Sequence, residues 1–353
     1  MNPYSDSKIL RDLKRLQAIR DGKTFPPKQV EIVLSDLCNQ DCWFCMYRQS
    51  GMLPAEKFGG NPARFLDTTD VKKLLHEIVE MGVRAVLFSG GGEPTVHPQH
   101  LTIFKEALDL GLACGLITNG TLLRGGWENV LPYFTWIRVS LDAGTEATYA
   151  ATRKVSGHMF KRVLANLANL RYEIDQRNTN CYLGVGFVVT PENYQECAWA
   201  ARHVHQEGAH SIRFNPVRTP LGTDAYDGIL ESVLASLHRA KTLPGLPIGF
   251  VLEQFTSRLE DLEGPPDYPV CHYQKLAPFV GADGKVYRCC HTSYSNRGYL
   301  GELQSFEALW YGEDVQKRMR EFDARGCENC TFNRINRAVE LITKPGTPHE
   351  EFL

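Results

Sequence analysis

The 353-residue chain has no long apolar run, no large excess of either charge, and no basic-then-apolar stretch in Met1–Ser7. The first absence excludes a helical membrane span, and the last excludes a secretion signal at these residues. A formal net charge of −2 gives no general attraction to anionic membranes or phosphate backbones, which argues against nucleic acid as a generic partner. No internal repeat and no hydrolase-like Ser/His/Asp motif can be picked out. A cytoplasmic protein without a membrane partner is expected.

Cysteine, by contrast, is plentiful. There are eleven, an odd number. In a reducing compartment they read as metal ligands or reactive groups rather than as a disulfide framework. Cys38, Cys42 and Cys45 form one group, and Cys271, Cys289, Cys290, Cys327 and Cys330 form another. Cys114, Cys181 and Cys197 stand singly in apolar segments, where core packing accounts for them. Three thiolates within eight residues can hold three corners of a [4Fe–4S] cube and leave one iron open to a ligand. The bland alternative, half of a zinc knuckle, lacks a second Cys or His pair nearby.

Between the cysteine groups, strands and helices alternate. Gln29–Leu34, Ala85–Phe88, Cys114–Ile117, Trp136–Leu141, Tyr182–Val189 and Ser211–Phe214 read as strands. Helical stripes fall over Thr69–Met81, Leu101–Leu110, Phe160–Ile174 and Tyr194–His205. Right-handed crossovers then give a parallel sheet whose ligand site lies at the C-terminal strand ends. The cysteine loop, the run Gly90-Gly91-Gly92, and Thr118-Asn119-Gly120 all fall at such ends. Ser5–Ile19 carries a helical stripe suited to lying on this domain, and Ala225–Lys241 a further helix. Ile248–Leu252 reads as another strand. Pro278–Val280 and Val286–Arg288 form a hairpin around Asp283-Gly284.

Cys38-Asn39-Gln40-Asp41-Cys42-Trp43-Phe44-Cys45 resembles the signature of the radical S-adenosylmethionine (SAM) enzymes, and Gly91-Gly92-Glu93-Pro94 resembles the motif that holds the SAM amino group there. The resemblance runs from about Gln29 to Pro216. It implies a partial (β/α)6 TIM-like barrel with Cys38, Cys42 and Cys45 on a [4Fe–4S] cluster. It further implies SAM contacts from Gly91, Gly92 and Glu93, from Ser140, and from Arg153 toward the SAM carboxylate. Thr118 and Asn119 are expected near the ribose, Phe44 and Val189 beside the adenine, and Asn215 at the sixth strand end. A solvent-facing Arg153 and plain core packing for Phe44 and Val189 are the competing readings. The implied chemistry is reductive cleavage of SAM to a 5′-deoxyadenosyl radical that takes hydrogen from an unactivated carbon, with a flavodoxin or ferredoxin as electron donor.

The second group resembles the Twitch form of the SPASM auxiliary-cluster module. Cys271, Cys289, Cys327 and Cys330 are the implied ligands of one auxiliary [4Fe–4S] cluster, and a four-cysteine zinc ribbon is the alternative. Cys290 adjoins Cys289, so either could ligate. A free Cys290 is a candidate hydrogen donor to a substrate radical, or an inert thiol. The expected organisation is an α/β chain with an N-terminal helical extension (1–25), barrel (26–220), linker (221–264), small C-terminal iron–sulfur domain (265–340) and flexible tail (341–353). The expected activity is oxidation or epimerisation of a small polar, sugar- or aminocyclitol-like substrate. Modification of a ribosomal peptide is the alternative, and a non-catalytic zinc protein the remote one. About 25 residues precede the first strand, too few for a leader-binding domain, which tilts the expectation to a small molecule.

Overall fold

The computed structural model describes residues 5–47, 63–123, 125–218 and 222–344. Its framework is one ten-stranded sheet in the order β10-β9-β8-β1-β2-β3-β4-β5-β6-β7. Strands β1 (Val30–Val33), β2 (Ala85–Ser89), β3 (Ala113–Thr118), β4 (Trp136–Ser140), β5 (Tyr182–Val189), β6 (Ser211–Pro216) and β7 (Val251–Glu253) pair in parallel, each with the next. β7 and β10 end the sheet unpaired with each other, so the barrel is open. The six expected strands are present, and the further strand expected at Ile248–Leu252 is β7, placed at Val251–Glu253 and paired with β6.

Helices α2 (Thr68–Glu80), α3 (His100–Asp109), α4 (Glu146–Arg153), α5 (His158–Gln176), α6 (Cys197–Gln206) and α7 (Leu230–Lys241) make the crossovers. All but α4 bury an apolar stripe against the sheet, as Leu74, Leu75 and Ile78 of α2 and Val163, Leu167 and Leu170 of α5 do. Phe88, Phe104 and Phe134 meet in this layer, with ring centroids 4.7 Å and 5.2 Å apart along the chain of contacts. Burial of each such side chain contributes about 1.5–3 kcal/mol. Cys114, Cys181 and Cys197 are buried in the same core. The α4 helix was not foreseen in the sequence. Thr145 caps it, accepting from Thr148 N at 3.3 Å, and it ends where Lys154 turns left-handed at φ 51°.

The N-terminal segment is not one helix. It breaks at Asp12 between a 3-10 turn (Asp6–Arg11) and α1 (Leu13–Arg20). Asp12 accepts from Arg15 at 2.9 Å and Lys28 at 2.7 Å. Ile9, Leu16 and Ile19 pack with Leu276 and with Val339 of a later helix (Asn333–Thr343), so this N-terminal segment lies against that helix. From 345 onward the expected flexible tail lies outside the described residues.

The C-terminal module joins the barrel sheet directly. β8 (Phe279–Val280) pairs in parallel with β1, and β9 (Lys285–Tyr287) and β10 (Tyr299–Glu302) follow antiparallel. Tyr294 pins this junction. Its hydroxyl donates to Asp36 Oδ1 at 2.6 Å and accepts from Ala282 N at 3.2 Å, while its backbone is held left-handed at φ 57°. Asp36 is fully buried, receives Arg64 at 2.5 Å, and stands two residues before Cys38. Burial pushes its carboxyl up to about 6. Tyr294→Phe is expected to remove about 1.5–3 kcal/mol of stability, the worth of a hydrogen bond to a charged group. Denaturant titration under anaerobic conditions reads this out, and an unchanged midpoint would show the contact to be idle.

Candidate functional site

The C-terminal ends of β1–β6 surround one cavity of about 380 Å³. The cysteine loop after β1 closes one side of it, and its position is fixed from three directions. Gly92 N and Glu93 N donate to Ser35 O (2.9 Å) and Leu37 O (3.0 Å), tying the glycine run to the approach to Cys38. A Cβ on Gly92 would stand 2.2 Å from Leu37 O, so only glycine permits this approach. Asp41 N and Trp43 N donate to Arg153 O and Thr152 O at the end of α4. Asn119 Nδ2 donates to Asn39 Oδ1 at 2.7 Å.

Cys38, Cys42 and Cys45 all line the cavity. Burial first, with Glu93, Cys42 and Cys45 acting in the same direction, pushes the Cys38 thiol up to about 12. Thiolates crowded together in a buried site need a cation among them. Glu93 is buried with its carboxylate fully used: Oε1 accepts from Thr95 N (3.1 Å), Thr95 Oγ1 (2.6 Å) and Thr118 Oγ1 (2.6 Å), and Oε2 from Asn119 N (2.7 Å). It joins the ends of β2 and β3 while its charge faces the cavity.

Arg153 is buried, not solvent-facing. It is ion-paired with Asp142, and its Nη1 donates to Gln40 Oε1 (3.1 Å) and Cys42 Sγ (3.3 Å). Asp142 also accepts from Val188 N at 2.7 Å, with φ at 56°. The Arg153–Asp142–Gln40 constellation escaped the sequence reading, although Asp142 ends the quoted Ser140-Leu141-Asp142. Phe44, Gly91, Gly92, Glu93, Thr118, Asn119, Ser140, Arg153 and Asn215 all reach the cavity. Val189 does not. It lies in the core on the helix side of β5, and Val188, one residue earlier, takes the wall position. Along a strand, a shift by one residue changes the face. Arg153 Nε and Asn215 Oδ1 are buried in the cavity wall without hydrogen-bond partners, so the wall has polar groups to offer a ligand.

On the opposite side stands the second cysteine group. The Cys271 thiol is pushed up by burial first and then by Cys289, Cys330 and Cys327, and burial pushes Cys330 up to about 12. These four therefore act on one another at close range. Cys289 packs with Tyr273 and Ala277, beside Cys271 and Phe332. Cys290 faces the other way, into the cluster of Tyr47, Phe279 and Tyr294 that Cys45 also touches. His291 shares a hydrogen bond of 2.7 Å with Thr331, which itself lines the cavity next to Cys330. The cavity thus extends from the first cysteine group to Thr331, the residue after Cys330.

An open parallel barrel with a cysteine triplet at its mouth, joined to a four-cysteine module, defines an iron–sulfur protein whose ligand site is that mouth. Residues 32–198 match the Radical SAM superfamily model, and residues 271–331 match SPASM, an iron–sulfur cluster-binding domain. The chain thus carries a radical SAM domain and, at its C-terminal side, a SPASM-type iron–sulfur domain. It is 31% identical over 136 residues to the tungsten-containing aldehyde ferredoxin oxidoreductase cofactor-modifying protein of Pyrococcus furiosus, 37% of each chain. It is 35% identical over 97 residues to the PqqA peptide cyclase of Bradyrhizobium diazoefficiens, 28% of this chain and 23% of the relative. The chain thus spans well under half the length of these two relatives. The crystal structure of Streptococcus suis SuiB bound to precursor peptide SuiA shares the fold, with a TM-score of 0.65 at 14% identity over 98% of this chain and 82% of that one. The cofactors are therefore a SAM-binding [4Fe–4S] cluster and an auxiliary cluster, for which thiols are the donor type required. Among the described residues no helix is long and apolar enough to cross a membrane.

Proposed function

We propose that this protein removes a hydrogen atom from a carbon of a substrate seated between its two clusters, with the auxiliary cluster as electron acceptor or substrate anchor. The observation that carries this reading is the single cavity lined by Cys38, Cys42 and Cys45 at one side and by Thr331, next to Cys330, at the other. Bound SAM supplies the chemistry, reductive cleavage to methionine and a 5′-deoxyadenosyl radical. The chain's own residues do the rest. Cys38, Cys42 and Cys45 hold the first cluster, and Gly91, Gly92, Glu93, Thr118, Asn119, Ser140 and Asn215 hold SAM. Arg153 steadies the Cys42 thiolate, and Phe44 and Val188 keep water out. A flavodoxin or ferredoxin is the proposed electron donor.

A peptide is the substrate class favoured by the similarity to the PqqA peptide cyclase. A small polar molecule is the second reading, favoured by a cavity of only about 380 Å³ that SAM must share. Anaerobically reconstituted protein, reductant and SAM are incubated with a short peptide encoded beside the gene or with a panel of polar metabolites. The expected result is substrate-dependent 5′-deoxyadenosine with loss of two hydrogens from the substrate, or solvent deuterium incorporation for epimerisation. Protein that holds zinc and no labile sulfide would end the proposal.

Cys271, Cys289, Cys327 and Cys330 are the proposed auxiliary ligands. Cys289→Ser is expected to cost about half the iron, whereas Cys290→Ser keeps it. The opposite pattern would exchange their roles. Cys290, turned toward Cys45 and Tyr47, is the proposed hydrogen donor where a substrate radical is quenched.

A further inference from the structure

Five arginines reach the wall of the cavity. Arg138, Arg153, Arg213, Arg218 and Arg258 line it, against the carboxylates Glu93 and Asp142. Asp142 is paired with Arg153 and accepts from Val188 N, while Glu93, held by Thr95, Thr118 and Asn119, keeps its charge toward the cavity. Arg218, just beyond β6, is the informative one. The residue is half-buried, yet its Nη1 is sealed from water and has no hydrogen-bond partner. The Cys330 and Cys290 thiols and, after them, Asp261 act on it through space, and Asp261 is itself held by Asn333 Nδ2 at 3.2 Å. Burial disfavours the Arg218 guanidinium first, and the like charge of Arg258, which also lines the cavity, adds a smaller effect of the same sign. Two guanidinium groups on one cavity wall, one with a dry unpaired donor, form an unfavourable arrangement by themselves. An anion placed between them removes both penalties, and the planar fork of Arg suits carboxylate and phosphate oxygens.

We infer that Arg218 and Arg258 receive an anionic group of the substrate, a carboxylate or a phosphate, and thereby fix its position between the two clusters. This rests on the proposal that the substrate lies in this cavity. Neither the sugar- or aminocyclitol-like expectation nor the peptide reading by itself predicts such a charge. A phosphorylated small molecule or an acidic side chain of a peptide would supply it.

The test uses the reconstituted full chain with SAM bound, titrated calorimetrically with inorganic phosphate, inorganic pyrophosphate and glutarate. Saturable binding is expected, weakened roughly tenfold to a hundredfold by Arg218→Gln and by Arg258→Gln, as for a lost charge-assisted hydrogen bond. Arg218→Lys recovers part of the affinity, and Arg202→Gln on the outer face of α6 changes nothing. Preference for pyrophosphate assigns a phosphorylated substrate, and preference for glutarate a carboxylate. Iron content and melting temperature of each variant confirm that it is folded. No saturable binding, equal binding by Arg218→Gln, or an equal loss of SAM affinity in that variant would overturn the inference. The proposed activity is tested separately by SAM cleavage in the unaltered protein. Cleavage without anion binding removes only this inference, and anion binding lost in Arg218→Gln without cleavage removes only the proposed activity.

Discussion

Cys42→Ser is expected to lower bound iron from about eight to about four atoms per chain and to abolish SAM cleavage, leaving the auxiliary cluster in place. Cys42 is the thiolate that Arg153 Nη1 contacts at 3.3 Å. The loop around it is tied down by the glycine run, by the end of α4 and by Asn119. A serine hydroxyl in that rigid setting is a poor iron ligand, and the loop cannot shift to bring another thiol forward. Cys114→Ala serves as the contrast, because Cys114 is fully buried in the helix-facing core and its loss leaves the iron count alone. Iron and sulfide analysis after anaerobic reconstitution decides the matter. Retention of full iron by Cys42→Ser would sink the ligand assignment.

Asp142→Asn should cost about 3–5 kcal/mol of stability, as expected when one partner of a buried ion pair is neutralised. The amide can still accept from Val188 N, so the backbone contact survives while Arg153 loses its counter-charge. Arg153 would then have only Gln40 and the Cys42 sulfur as acceptors, with Nε already unpartnered. Denaturant midpoints at fixed ionic strength measure the loss. The double variant Arg153→Met with Asp142→Asn should regain much of it, because the stranded guanidinium is gone while the amide keeps the Val188 N contact and suits the left-handed backbone. A loss below about 1 kcal/mol in Asp142→Asn would mean that water reaches the pair, as at an exposed bridge.

The frame of the site was readable because its parts are local. A β-branched strand followed at once by three spaced cysteines, and another followed by glycines, place both motifs at strand ends without any long-range information. The pairing of Arg153 with Asp142 needed the helix between them, whose signals, Thr145 followed by Glu146, are present but were passed over. Val188 and Val189 illustrate a different limit. The strand was placed at the right residues, but period two leaves the choice of face open until something sets the phase. Gly186, which also lines the cavity, sets it here. Arg218 and Arg258 lie in unrelated segments, after β6 and in the short helix Phe255–Leu259, and nothing in one dimension brings them together. The helix Asn333–Thr343 was legible in principle from Ile335, Ala338 and Val339, but its partner is at the other end of the chain.

The pairing of β8 with β1 bears on how this protein can be handled. Val30–Val33 is buried along its whole length, and Phe279–Val280 covers its outer rim. Expressing the barrel alone, with the chain cut before Pro265, would bare a row of unpaired amides and carbonyls on an apolar ribbon. Such a rim recruits strands from neighbouring molecules. A shortened version is therefore expected to come out as inclusion bodies or higher-order oligomers, whatever the state of its first cluster. Circular permutation that keeps β8 beside β1 would be the gentler way to separate the two modules.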